Sequence, residues 1–350
     1  MAIGVFWMNK RITAFLLALL MLTSFVGCGN SEPDLSDNVE VIVEEEVVVE
    51  GDDTVLNESV VSSEITNNDS SVDTPASSEQ PSTTTSQTSS ITSTSAEDDK
   101  INIDYEWKSH PQDFKLIAFT FDDGPKDLMP QYVQYFAAFE GAGTFFVNGH
   151  NIKGDYEYKQ MQNAINYGWD IGNHGDNHLV ATIGGTGGGE ATYDEIKADI
   201  TNLIHKLESN LKFRDGSPYE VSFYRPPNIK PTANTFKICG EENLAVIWLS
   251  YDALDWGSNS KEDSYNVFKK GIGTWKDGDI ILCHETSQNT YEIIQEVLPD
   301  YFRAGYRFCS ISELMRLRGI TIDQISGELK DYDNNRGMVT NIVDAAKGGK

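Results

Sequence analysis

Between residues 111 and 318, short apolar runs alternate with amphipathic stretches, and this alternation restricts the fold more than any other feature of the 350-residue chain. Strands are predicted over 115–121, 144–147, 169–173, 221–225, 244–250, 279–284 and 307–310. Helical spacing falls between them, at 129–139, 156–167, 193–211, 290–303 and 311–317. Strand and helix in repeated succession imply βα units around a parallel sheet. Seven such units over about 200 residues suit an α/β barrel one unit short of the usual eight. No internal repeat of the solenoid kind interrupts the pattern.

The ends of these runs carry the chemistry. Asp122 and Asp123 close the first predicted strand; His174 and His178 follow the third, Arg225 ends the fourth, Asp252 and Asp255 follow the fifth, and His284 ends the sixth. In a βα barrel the C-terminal strand ends converge on one face, where reactive groups are assembled. Taken singly, the motifs are weak. Asp-Asp-Gly-Pro at 122–125 reads as a turn, with Gly for positive φ and Pro to stop the strand. His174-x-x-x-His178 lets two imidazoles reach one metal, yet Gly175 sits where a zincin has its catalytic Glu. The Gly-rich loop at 184–189 lacks the Lys-Ser/Thr ending of a phosphate cradle and reads as a lid or linker.

Together the groups make a site. Two His and one Asp are the donor set of a catalytic zinc with a position left for water, and also of a non-haem iron centre. A second carboxylate, a separate His and two groups able to orient them favour hydrolysis over oxygen chemistry.

In order, Thr120-Phe-Asp-Asp-Gly124, His174-x-x-x-His178, Arg225-Pro-Pro227, Asp252-x-x-Asp255-Trp256 and Leu282-x-His284 resemble the five motifs of the polysaccharide deacetylases, the NodB-homology domain of carbohydrate esterase family 4. The resemblance spans roughly residues 113–318 and implies a distorted (β/α)7 barrel. It implies Asp123, His174 and His178 as ligands of one divalent metal, usually Zn2+, with Co2+ or Ni2+ in some members. It further implies Asp122 as general base held by Arg225, His284 as general acid oriented by Asp255, and Trp256 and Leu282 as apolar walls for the acetyl methyl group. A backbone N–H near Asn228 would help hold the oxyanion. Three positions depart from the family: Gly175 for Ser or Thr, Asn228 for Tyr or Trp, and Glu285 for Asp. The first removes a hydroxyl that braces the histidine loop.

The implied reaction is removal of N-acetyl groups from a polymeric glycan, foremost the N-acetylglucosamine of peptidoglycan. An O-acetyl xylan esterase and a non-catalytic glycan-binding module are the alternatives. Tyr251, Trp275 and Trp107 are candidates for stacking on sugar rings, with burial in the core as the competing reading.

The rest of the chain reads as delivery. In residues 1–28, Lys10 and Arg11 precede an apolar run too short to span a bilayer, and Cys28 ends a lipobox-like stretch. Residues 29–110 form an acidic linker in which 20 of the 34 residues from Ser62 to Ser95 are Ser or Thr, too polar to pack. Residues 319–350 read as a tail appended to the domain. With 54 Asp and Glu against 27 Lys and Arg, the chain lacks the basic face a nucleic acid would need. These features place the domain outside the cytoplasmic membrane, secreted or held by lipid on Cys28. No protein partner is predicted.

Overall fold

The computed structural model describes residues 101–325 and 338–347. The expected signal segment, Cys28 and most of the expected linker therefore lie outside the described residues. Eight parallel strands form the sheet: β1 Lys115–Gly124, β2 Thr144–Val147, β3 Asp170–Asn173, β4 Phe223–Tyr224, β5 Ala245–Val246, β6 Tyr251–Asp252, β7 Ile280–His284 and β8 Tyr306–Phe308. Their order is β5-β4-β3-β2-β1-β7-β6, with β8 paired to the first three residues of β1. The sheet curls into the expected distorted barrel. Against it pack α1 Met129–Ala138, α2 Asp155–Asn166, α3 Tyr193–Asn210, α4 Ala233–Glu241, α5 Lys261–Gly271, α6 Gln288–Arg303 and α7 Ile311–Arg318. Two short helices follow, α8 Ile322–Ile325 and α9 Ile342–Ala346. Among the described residues no helix is long and apolar enough to cross a membrane.

The strand expected over 244–250 is shorter, β5 at Ala245–Val246, and a second short strand, β6, follows at Tyr251–Asp252. The first pairs with β4 and the second with β7, so one stretch of chain supplies both ends of the sheet order. Between them Ile247 leaves the sheet to bridge Val339. This stretch bends from one edge of the curled sheet to the other.

Alternation along β1 sorts the interior. Ile117, Phe119 and Phe121 face the helical layer, where Phe119 meets Phe136, Phe268, Trp275, Tyr301 and Phe308. Burying such a ring contributes about 2 kcal/mol. The opposite parity runs up the inside: Leu116 and Ala118 join the inner apolar cluster, and Thr120 and Asp122 are buried above them. The strand that packs the bottom of the barrel thus lifts a carboxylate to its top.

The packed unit extends beyond 111–318 at both ends. Trp107, 6% exposed, joins the inner cluster and donates from Nε1 to the Glu140 carbonyl. Val339 and Ile342 are buried in the same cluster, and Asn341 binds Asp279 Oδ1 at 2.7 Å. Residues 338–347 are therefore no appendage. A few apolar side chains suffice because they fill the foot of the barrel.

Candidate active site

Asp122 stands inside the rim, 2% exposed, and its Oδ1 accepts from Arg225 Nη1 at 2.8 Å. Arg225 follows β4 and is wholly buried, so its charge needs partners on several sides. Nη1 also donates to Thr120 Oγ1 at 2.7 Å, and Nη2 to the Trp248 carbonyl at 2.8 Å. The guanidinium lies 4.3 Å above the Phe146 ring. Burial pushes the Asp122 carboxyl above its usual range, with Arg225 and His284 working against that rise. The carboxylate is thus made more basic while being held in one orientation.

Asp123 turns the chain with φ of 68°, and Asn151 Nδ2 ties down its carbonyl at 2.8 Å. His174 follows β3, its main-chain N–H bound to the Val147 carbonyl at 2.9 Å. Its Nδ1 lies 2.7 Å from the Arg225 carbonyl. A carbonyl only accepts, so Nδ1 carries the proton and Nε2 keeps its lone pair. His178, one turn of loop later, reaches the same point. Its Nε2 is 3.5 Å from Asp123 Oδ1, and that of His174 is 3.7 Å away.

The three donors lie within 4.8 Å of one another. A tetrahedral cation with bonds of about 2.1 Å separates its ligands by about 3.4 Å, so the residues present fit such an ion. Burial lowers the pKa of His174 well below its ordinary value despite the nearby Asp123. The ring is therefore neutral, and its contacts are converging lone pairs rather than an ion pair.

Across the cavity, His284 ends β7 with Nδ1 2.7 Å from Asp255 Oδ1. Asp255 Oδ2 accepts from the His284 main-chain N–H at 2.8 Å and from Thr290 Oγ1 at 2.6 Å. Burial opposes a charge on His284, but the bond to Asp255 and the charges of Asp255, Asp122 and Asp123 together raise it to about 9. The neighbouring Glu285 is buried and raised to about 8 by that burial; it accepts the Lys126 N–H at 2.7 Å and so braces the turn after Asp123.

Asp122, Asp123, His174, His178, Asp255 and His284 line one cavity of about 1010 Å³. Leu282, Asn228 and Trp256 form its walls. Trp256 is 51% exposed, and its Nε1 donates to both oxygens of Asp252 at 3.1 and 3.0 Å. Asn228 has φ of 53°, outside helical geometry. Every sequence-derived candidate from Asp122 to His284 thus borders the same space except Arg225, which is buried behind Asp122 and acts through it. The stacking candidates do not. Trp275, 1% exposed, packs between Tyr251 and Tyr301, and Trp107 is equally internal, because both rings complete apolar clusters.

Sequence reasoning passed over Thr120 Oγ1, Asn151 and Thr290 as supports. Thr120 was accessible, since it shares the inward parity of Asp122. Thr290 was not, because it arrives from the start of α6 with no local pattern linking it to Asp255.

The family profile described as "Polysaccharide deacetylase" matches residues 109–254. A peptidoglycan-N-acetylglucosamine deacetylase of Bacillus cereus is 29% identical over 215 residues, spanning 59% of this chain and 92% of that protein. The peptidoglycan-N-acetylmuramic acid deacetylase PdaA of Bacillus subtilis is 25% identical over 203 residues, 57% of this chain and 72% of that protein. Among solved structures, a family 4 acetyl xylan esterase from Clostridium thermocellum superposes with a TM-score of 0.50 at 24% identity, covering 65% of this chain and 99% of that one. The Xyl-CE4 domain of a xylanase from the Trinervitermes trinervoides hindgut metagenome gives 0.52 at 22% identity, with 66% and 98% covered. These two structures share the fold.

Proposed function

We propose that the chain is a member of the polysaccharide deacetylase family and that it removes N-acetyl groups from the N-acetylglucosamine of peptidoglycan. The observation that carries this reading is the meeting of a metal donor set, a base pair and an acid pair around one cavity. Asp123, His174 and His178 would hold a divalent cation, most simply Zn2+ given two imidazoles and one carboxylate. When bound, the cation supplies Lewis acidity to the acetyl carbonyl and to water.

The remaining work falls to side chains. Asp122, fixed through Oδ1 by Arg225, keeps Oδ2 for the proton of the attacking water. His284, oriented at Nδ1 by Asp255, gives its Nε2 proton to the departing nitrogen. A C–O bond forms, the C–N bond breaks, and acetate and a free amino sugar leave. The backbone N–H at Asn228 stabilises the oxyanion, while Trp256 and Leu282 receive the acetyl methyl group.

A cavity of about 1010 Å³ exceeds what one monosaccharide fills and suits a run of a polymer. Names of similar proteins, an expected signal segment and an acidic arm support action at the cell wall, outside the membrane. Cys28 is the proposed point of lipid attachment. The test is acetate release by the full-length protein from N-acetylglucosamine oligomers, purified peptidoglycan and acetylxylan, with zinc or with chelator. Zinc-dependent release from peptidoglycan, abolished in Asp122→Asn, is expected. Release from acetylxylan alone would replace the substrate, and none from any polymer by folded, zinc-loaded protein would end the enzymatic reading.

A further inference from the structure

Helix α3 runs behind the loop that carries both metal-facing imidazoles, and one of its side chains points into that loop. Asp199 is 5% exposed. Its Oδ1 accepts the Asn177 N–H at 2.7 Å, and its Oδ2 accepts the Leu179 N–H at 3.3 Å. Its main-chain carbonyl takes the Asp176 N–H at 2.9 Å. These donors bracket His178, whose φ of 55° lies in the left-handed region. A non-glycine residue there costs about 1–3 kcal/mol and persists only where surrounding contacts enforce it. Asp199 supplies those contacts on both sides of the residue.

Gly175 makes the arrangement possible. Its φ is 83°, and a Cβ built on it would stand 2.2 Å from Asp199 Oδ2 and 3.5 Å from the His178 nitrogen. The carboxylate thus fills the space a side chain at 175 would take. A side chain at 175 and the carboxylate of Asp199 compete for one place behind the loop. They cannot both fit without one moving.

We propose that Asp199 is the positioning residue for His178: admitted by Gly175, its carboxylate sets the turn that aims His178 Nε2 at Asp123. The inference rests on the reading that Asp123, His174 and His178 hold a cation. It assigns the support of the histidine loop to a helix more than twenty residues away in sequence.

The experiment measures zinc affinity of full-length, metal-stripped protein by competition with a chromophoric chelator, and cobalt absorption as a probe of coordination. Asp199→Ala is expected to weaken zinc binding by about 10–100-fold, the usual effect of losing a group behind a ligand. Asp199→Asn, whose amide oxygen still accepts from one of the two N–H groups, should lose less affinity and shift the cobalt spectrum less. Melting in chelator reports folding separately. If Asp199→Ala fails to fold, Asp199→Asn carries the test. Zinc affinity within twofold of wild type, with an unchanged cobalt spectrum, in folded Asp199→Ala or Asp199→Asn overturns the proposal. Wild-type protein that binds no zinc overturns the metal reading beneath it.

Discussion

His174 and His284 stand in one cavity and are made into opposite reagents. Both rings are largely buried, and both offer Nε2 to the cavity while Nδ1 is engaged behind. The partner behind differs. His174 gives its Nδ1 proton to a neutral carbonyl, that of Arg225, so burial prevails and the ring stays uncharged. His284 gives its own to the Asp255 carboxylate, which with nearby acids overrides burial and holds the proton to about 9. One ring keeps a lone pair for a cation; the other keeps a proton for a leaving group. Arg225 joins the halves, because its carbonyl fixes the metal-side ring while its guanidinium fixes the base.

The sharpest way to break the pairing is to delete each ring in turn. His174→Ala should abolish acetate release and reduce zinc affinity by more than the ~10–100-fold typical of losing a supporting group. His284→Ala should leave zinc affinity at the wild-type level while kcat falls by about 10²–10⁴-fold, the range for a general acid. Chelator competition and acetate release, run on both variants, give a crossed result if the roles are distinct. Equal loss of zinc in both would merge the two rings into one function.

A subtler change turns one environment toward the other. Asp255→Asn replaces the carboxylate behind His284 by a neutral amide of the same shape. The basic limb of the pH–rate profile should then move from near 9 toward the ordinary 6.5, with kcat reduced about 100-fold at alkaline pH. The same shifts appear in stability. His284, raised above its unfolded value, stabilises fully below pH 6.5 and loses that contribution as pH rises through 9. His174, lowered on folding, does the reverse: the metal-free fold weakens as pH falls below 6.5. Melting of metal-free protein from pH 5 to 10 should therefore lose the part of its decline that runs through pH 9 in Asp255→Asn, while the decline up to pH 8 from the raised Glu285 carboxyl remains. An unchanged alkaline limb would mean the carboxylate is not what holds the proton.

The two sides of the site also differ in how far they could be read from sequence. The strand ends bearing Asp122, His174 and His284 follow runs of apolar residues, so position along the chain predicted position in space. β4, β5 and β6 have two residues each, too few for periodicity to mark, and the strand expected over 244–250 shrinks to β5. The supports were hidden for another reason. Asp199 reaches the His178 loop, Thr290 reaches Asp255, and Val339 reaches Ile247 across long stretches of sequence, and hydrogen bonds between distant segments leave no local pattern. The tail at 338–347 looked dispensable by composition because its role depends on the shape of the cavity it fills.

Trp256 offers the smallest perturbation and a control on all the rest. Its ring lies at the rim, and its one hydrogen-bond donor, Nε1, is spent on Asp252 rather than on the Arg225 carbonyl or Asp255. It should therefore shape substrate without altering either imidazole. Losing an apolar contact of this kind costs about 1–3 kcal/mol of discrimination, and a half-exposed wall belongs at the low end. Trp256→Ala should lower kcat/KM on N-acetyl oligomers by about 10-fold, with zinc affinity and both limbs of the pH profile where wild type has them. A shifted limb would instead tie the rim to the protonation of His284. In that case Asp252, freed of its Trp256 partner, would be the carboxylate to test next, since it ends β6 three residues before Asp255.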